Sequence, residues 1–535
     1  MKKRILLISL ALATLLSGCG EKKVENTGSD AEFLKYLETA EYPIETDKKI
    51  SIWSWTGGGA VGDHADANQF PGVLDYEKKT GVDVEYIFPT GNQKEAFNLL
   101  IASNDLPDLI NWWWSVPTDF PGGAEKAISD GYIAAFNEMM PKYMPNMQKF
   151  LEENKRLDRD IKTDAGLYYY APSYMISEAD KSSPTCGFIF RKDWLDELGL
   201  PVPETWEDWY TTLKAFKEEK GAELPFSVTY AILKVRGITN AYKFALGLYV
   251  DGKEVKYGFA EPQYKEFIEE MNKWYNEGLI DPNIASIDQK SVDSKIISGR
   301  TGATFGWLSN MLTWTKAAKE TEPDFELIGV PFPVMEKGDP QNFGWRDAPV
   351  YQAGCAISAT SPNKELAAKL LDYGYSEEGA ELLNVGRENE TFVFEDGKYK
   401  MTDLISNNPE GWSYTNASTY YIGGIAAPKI NILNDNNYVQ YYNLPEQYAA
   451  KDVWKGNDPS DTRLPNALTP AADKAARYAK LLTDMEAYAD EMFLKFLTGV
   501  EPISDFDAYL DELKKSGLDE LLQITQESYD RYLAR

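Results

Sequence analysis

The sequence predicts an α/β fold arranged in more than one lobe, and three observations carry that expectation. From Ile50 onward short apolar runs alternate with amphipathic helical patterns, as in strands joined by crossover helices. About 490 residues follow the amino-terminal signal and tether, a length that suits two or three domains. Only three cysteines are present, so buried apolar surface rather than a disulfide scaffold must stabilise the chain.

The first segment is an address. Lys2, Lys3 and Arg4 precede the apolar run Ile5 to Leu16, which is too short to span a bilayer and suits the h-region of an export signal. The run ends in "LSGC", which resembles the bacterial lipobox. That resemblance implies removal of residues 1–18 and a diacylglycerol on Cys19. Residues 19–46 then read as a polar tether. No later run of eighteen apolar residues occurs, so the expected membrane anchor is the lipid on Cys19 alone, at the outer face of the cytoplasmic membrane.

The remaining elements follow in order. "ISIWSW" reads as a strand, "GVLDYEKKT" as a helix, "VDVEYIF" as a strand, "QKEAFNLLIAS" as a helix and "PDLIN" as a strand. This is a doubly wound pattern, in which ligands sit beyond the carboxyl ends of the strands. A second set starts near "LYYYAPSY" and continues with "CGFIFRKDWLDELGL", a helix from Trp206 to Lys220 and a strand at "FSVTY". Thr205 and Asp208 form a capping-box pattern at that helix start, and Pro201 and Pro203 block helix upstream. Tyr264, Phe267, Ile268, Met271, Trp274 and Tyr275 make a core-facing stripe stopped by Gly278. "SGRTGATFGW" reads as a short strand and "APVYQAGCAIS" as a longer one, before a helix that Ser361 can cap with Pro362 in its first turn. After Ala471 the pattern is helical, with glycine stops. Cys186 and Cys355 both fall in strand-like runs, so a bridge between neighbouring strands and two buried thiols are both open.

Charge narrows the partners. The chain has 55 basic and 84 acidic residues; without Lys2, Lys3 and Arg4 the mature chain carries −32. Nucleic acid is excluded on that balance. His64 is the only histidine, which removes catalytic sites with a second essential histidine and multi-histidine zinc sites. "DRDIKTDAG" and "NDNNY" hold oxygen ligands at short spacing, yet neither matches a twelve-residue EF-hand loop, and solvated turns are expected there. No metal and no cofactor is expected. An exported glycosidase would need two carboxylates ~5 to 9.5 Å apart, and no local motif singles out such a pair. A peptide or other small solute remains an alternative ligand.

The run "NWWWSVP" sets Trp112, Trp113 and Trp114 in a row at a strand end. In an extended segment Trp112 and Trp114 face one side and Trp113 the other, so one side suits a core and the other a flat ligand such as a sugar ring.

Several segments together carry a family resemblance: "NDLPDLI", "RKDWLDELGLPVPETWEDWY", "WYNEGLIDPN", "FGW" after "SGRTGA", and "AISATSPNKELAAKLLDYGYSEEGAELLNVG". From about residue 47 to its end the chain resembles the family 1 extracellular solute-binding proteins of carbohydrate ABC importers. Its terminal segment is similar to their larger oligosaccharide-binding lipoprotein branch. The resemblance implies a type II periplasmic-binding-protein-like fold with discontinuous lobes, hinge strands and a helical C-terminal extension. Residues 47–170 with about 290–350 would form the N-terminal lobe, and 171–289 with about 351–535 the C-terminal lobe. It also implies a monomeric receptor, not an enzyme, that captures a carbohydrate and delivers it to ABC permease subunits in the membrane.

Candidate ligand contacts follow from position and chemistry. Trp55 ends the first strand before the "TGGG" loop, and Trp112 to Trp114 end the third. Tyr174 follows the first hinge segment, while Trp307 and Asn310 follow the "GATFG" strand. In "NFGWRDAPV", Trp345 could stack, and Arg346 and Asp347 could bind hydroxyls or, for Arg346, a uronate bidentately. Trp412 and Tyr420 in "GWSYTNASTYYIGG" complete the set.

Overall fold

The computed structural model of the chain describes residues 30–55, 61, 63–116, 119–120, 122–175, 184–346, 348–425, 427–433, 438–439 and 444–535. Eight strands build its two main sheets: β1 (Lys49–Ser54), β2 (Asp83–Ile87), β3 (Leu109–Trp112), β4 (Ala171–Tyr174), β5 (Cys186–Arg191), β6 (Ala303–Trp307), β7 (Leu327–Val330) and β8 (Val350–Ile357). The first sheet has the order β2-β1-β3-β8-β4, and the second β6-β5-β7.

Local chemistry explains the regular pieces. The helix Pro71–Thr80 begins with proline in its first turn and ends on Gly81 at φ 76°, a left-handed position that glycine takes without Cβ strain. Asn92 caps Gln93–Ser103 by accepting from the Glu95 amide at 3.0 Å. Thr205 and Asp208 form the expected box: Thr205 Oγ1 accepts the Asp208 amide at 3.1 Å, and the Asp208 carboxylate accepts the Thr205 amide at 2.9 Å. In helix Pro262–Asn276 the stripe Tyr264, Phe267, Ile268, Met271 and Trp274 is buried, and Gly278 sits at φ 66°.

Each sheet has its own core. Ile50, Ile52, Val84, Leu109, Ile110 and Ala356 belong to the first, and Phe188, Phe190, Trp209, Trp274 and Phe305 to the second. Trp206 and Trp274 stack there, with centroids 4.5 Å apart. Helices Ala472–Thr498, Phe506–Lys515 and Leu518–Ala534 join the second core through Phe493, Phe496, Tyr509 and Leu521.

Between described residues the chain passes from one sheet to the other three times: from β4 to β5, from β7 to β8, and from the 427–433 segment to helix Pro445–Trp454. Tyr174 pairs with Val350 and with Ile430, so the three crossings leave the first lobe side by side. On the second lobe Phe188 pairs with Val330, which puts the start of β5 and the end of β7 at one edge.

Several expectations are corrected. Residues 30–46 are not tether: Asp30–Thr39 is a helix, and Leu37 and Ile44 are buried in the first core. The alternating polar residues of "AEFLKYLETAEY" disguise one apolar helix face. The segment expected in the N-terminal lobe near residue 303 forms β6, which pairs with β5, whereas the segment expected in the other lobe at 350–357 forms β8, which pairs with β3. Both are short apolar strands, and pairing partners are tertiary information that periodicity does not carry. "FSVTY" makes only isolated bridges, from Phe226 to Ile280 and Ala303. The helix after β8 starts at Lys364, and Ser361 instead accepts the Asn363 amide at 3.0 Å and donates to Asp108 at 2.5 Å. Cys186 and Cys355 are buried free thiols on different sheets.

Candidate ligand-binding site

The carboxyl ends of β1 and β3 and the start of antiparallel β8 lie on one edge of the first sheet. On that edge Trp55 and Trp113 face each other with centroids 4.8 Å apart, and Trp113 meets Tyr351 at 5.6 Å. The first two rings are half-buried and Tyr351 is exposed. The Trp55 indole N–H is buried without a hydrogen-bond partner, an uncommon state for a buried donor. Hydroxyl oxygens of a saccharide could accept from it.

Trp112 and Trp114 point the other way, as alternation requires. Trp112 stacks on Phe97 with centroids 4.4 Å apart, and Trp114 donates through Nε1 to the Ile110 carbonyl at 2.9 Å. Both rings are core, and only Trp113 of the three reaches the rim. Tyr174 is also core: it is fully buried against Phe150 and Tyr375, and burial holds its hydroxyl well above the usual tyrosine range. A hinge strand paired with Val350 on one side and Ile430 on the other, whose ring packs under Phe150 of a covering helix, leaves that ring no path to the cleft.

A second aromatic group stands on the same lobe. Tyr420 lies 4.6 Å from the exposed His64 ring and 5.2 Å from Trp412, with Phe70 beneath it at 5.1 Å. His64 and Tyr351 were not among the expected contacts. The signal for Tyr351 was the antiparallel entry of β8 onto the ligand edge, which only the sheet order reveals.

On the second lobe Trp307 ends β6 opposite Cys186, at the edge where the β4-to-β5 crossing arrives, and it is 44 % exposed. Asn310 positions it, its Oδ1 accepting the Trp307 amide at 2.9 Å. Trp345 lies half-buried on the β7-to-β8 crossing; Asn457 donates to its carbonyl at 2.5 Å, and its own indole N–H is buried without a partner. Arg346 is half-buried beside it. Asp347 and the "TGGG" loop lie outside the described residues, as does most of "NDNNY".

Arg346 also lines a cavity of about 370 Å³ between helix Lys155–Asp160, the β7-to-β8 crossing, segment 458–466 and the last helix. The acids of "DRDIKTDAG" are engaged next to it. Asp158 accepts from Lys162 and from the Tyr168 hydroxyl, each at 2.6 Å, Asp160 accepts from the Tyr532 hydroxyl, and Asp164 pairs with Arg531 and Arg535, each at 2.5 Å. Burial raises the Asp160 carboxyl.

Comparison with known proteins fits this arrangement. The family model described as bacterial extracellular solute-binding protein matches residues 62–381, more than half of the chain. The fructooligosaccharide ABC transporter substrate-binding protein FusA of Streptococcus pneumoniae is 24% identical, with 99% of this chain and 98% of that protein covered. Lipoprotein LipO of Bacillus subtilis is 23% identical, with 99% and 98% covered. Among solved structures, the alginate-binding protein AlgQ2 without calcium ion has a TM-score of 0.71 at 23% identity, covering 92% of this chain and all of that one.

Proposed function

The chain belongs to the bacterial extracellular solute-binding proteins, and from that premise we propose that it captures an oligosaccharide between its two lobes and hands it to the permease of an ABC importer. The row Trp55, Trp113 and Tyr351 on the carboxyl edge of the first sheet carries this reading. Sugar rings present apolar faces to such a row and hydroxyls to its edges, and the partnerless Trp55 donor suits an acceptor brought by the ligand. The relatives are named as receptors for fructooligosaccharide and for alginate.

Trp307 and Trp345 would close on the ligand from the other side as the three crossings flex. The ligand would favour the closed form only through contacts made there and not in the open one. Trp412 and Tyr420 would meet the ligand's far end. The reading includes a monomer held at the outer membrane face by a lipid on Cys19, with no catalytic step.

Thermal shift against neutral and acidic oligosaccharides tests it, since a ligand at 100 times its Kd adds ~2.7 kcal/mol of stability. A stabilising oligosaccharide recovered unchanged in length is expected. A panel with no stabilising member, or turnover to a defined product, would reject the reading.

A further inference from the structure

The aromatic row on the ligand edge crosses three strands of the first sheet, with Trp55 beyond β1, Trp113 beyond β3 and Tyr351 in β8. The strand on the other side of β1 is β2, which runs parallel to it, so the carboxyl end of β2 opens to the same side. The turn Ala67–Gln69 is fastened there: Asn68 Oδ1 accepts the Tyr86 amide at 2.8 Å, and Asn68 Nδ2 donates to the Tyr86 carbonyl at 3.2 Å. Upstream, Val61 and His64 exchange both backbone hydrogen bonds, at 2.9 and 3.0 Å, and Val61 is buried in the first core. His64 therefore sits on a turn anchored at both ends, with its ring exposed.

The neighbouring rings arrive from a distant part of the chain. Helix Tyr414–Tyr421 ends against the first turn of Pro71–Thr80 at Gly72, where an added Cβ would stand 2.3 Å from the Ile422 carbonyl carbon. Glycine permits that approach because it has no Cβ. The contact seats Tyr420 over the buried Phe70 at 5.1 Å and beside His64 at 4.6 Å. Trp412 stands nearly upright to both, at 78° to Tyr420 and 81° to His64. The three rings thus form a corner, half-buried at Trp412 and Tyr420 and open at the imidazole.

Core packing explains Phe70 and Tyr420 but not His64. An exposed ring adds little to stability, so this anchored turn presents the only histidine of the chain rather than burying it. The imidazole brings a polar nitrogen on either side of a flat ring, and Trp412 brings an apolar face. Together they suit the hydroxyls and the face of a sugar. Neighbouring strands are ~4.8 Å apart, so the edge from β8 through β3 and β1 to β2 covers three spacings, roughly 14 Å. A single sugar ring does not reach both ends.

We propose that His64, with Trp412 and Tyr420, forms a distal subsite for a further sugar ring of a chain held at Trp55, Trp113 and Tyr351, so that the receptor selects its ligand by length; this rests on the carbohydrate reading above.

The full mature chain is titrated calorimetrically with fructan, galacturonan and mannuronan oligomers, each as a ladder from disaccharide to hexasaccharide. In a ladder that binds, affinity should climb about tenfold or more from disaccharide to hexasaccharide. His64→Ala and Trp412→Ala should each weaken the hexasaccharide about tenfold more than the disaccharide, with melting curves confirming the fold. Trp113→Ala should weaken every member. As the only histidine, His64 gives one set of imidazole proton signals, and these should shift with hexasaccharide and stay in place with disaccharide. Affinity independent of length, variants that weaken both lengths equally, or imidazole signals that ignore the hexasaccharide would overturn the proposal and leave carbohydrate capture in place. If no member of any ladder binds, both the proposal and the carbohydrate reading fall.

Discussion

Trp55 and Trp113 stand one residue beyond the ends of neighbouring parallel strands, and their rings meet with centroids 4.8 Å apart at 46°. Adjacent strands are ~4.8 Å apart, so the sheet itself spaces this pair. Ring position then separates the three consecutive tryptophans. Trp112→Ala and Trp114→Ala should each cost ~3 to 5 kcal/mol of stability, as large core truncations do. Trp113→Ala should spare most of the stability and cost about 2 kcal/mol of binding, roughly thirtyfold in Kd. Urea melts and calorimetry on the three variants check this. Loss of stability without loss of binding in Trp113→Ala would place that ring in the core.

This distinction was half legible in the sequence. Alternation separated Trp113 from its neighbours, but which face met the core depended on Phe97 arriving from the helix Gln93–Ser103. The α/β order, the capping box at Thr205 and the terminal helices were readable because local chemistry sets them. The exchange of β6 and β8 between lobes was not readable, since both are short apolar strands whose partners lie 100 or more residues away in sequence. Tyr174 illustrates the same limit: its hinge position was foreseen, and its burial under Phe150 was not. The cavity that Arg346 lines escaped notice because its lining comes from five separate segments.

Asp372 supplies a pH test. Its carboxylate is fully buried, accepts from the Met147 amide at 2.9 Å and from Asn146 at 2.8 Å, and burial still raises its pKa to about 7. An unfolded aspartate titrates near ~3.9. Between these values the folded state binds more protons, so this group's contribution to stability falls as pH rises, and its cost is complete above pH ~7. The stability of wild type minus that of Asp372→Asn should therefore drop by roughly 4 kcal/mol from pH 4 to pH 8. Urea melts across that range measure it, and a flat difference would mean that the carboxyl stays ionised throughout.

Asp164 joins the lobes. It follows Ile161 of the first core, and it receives Arg531 and Arg535 from the helix that packs Leu521 and Ile524 into the second. Arg535 is almost buried, with 6 % side-chain exposure. Asp164→Ala leaves that charge unpaired and should cost about 3 kcal/mol. Hydrogen exchange in residues 518–534 should accelerate accordingly; unchanged protection would show that apolar packing alone holds the helix.

Cys19 decides the anchor. With Cys19→Ser, fatty-acid labelling should vanish and the precursor should keep residues 1–18. Equal labelling of the variant would remove the lipid from the description.

Trp307 tests whether the second lobe grips the ligand. Its ring is 44 % exposed and meets Phe305 edge-on at 6.4 Å, while its backbone is fixed by Asn310. An exposed ring with so little packing should cost under about 0.5 kcal/mol of stability when removed. If it closes on the ligand, Trp307→Ala should lose about 1 to 2 kcal/mol of binding, mostly as faster dissociation. Trp113 lies on the other lobe, so the two losses should add within ~0.5 kcal/mol in the double variant. Small-angle scattering adds a readout that a local contact would not move: ligand should compact the wild type more than Trp307→Ala, because closure is driven only by contacts that exist in the closed form. Full compaction in the variant with unchanged Kd would assign the second lobe's grip to Trp345 instead.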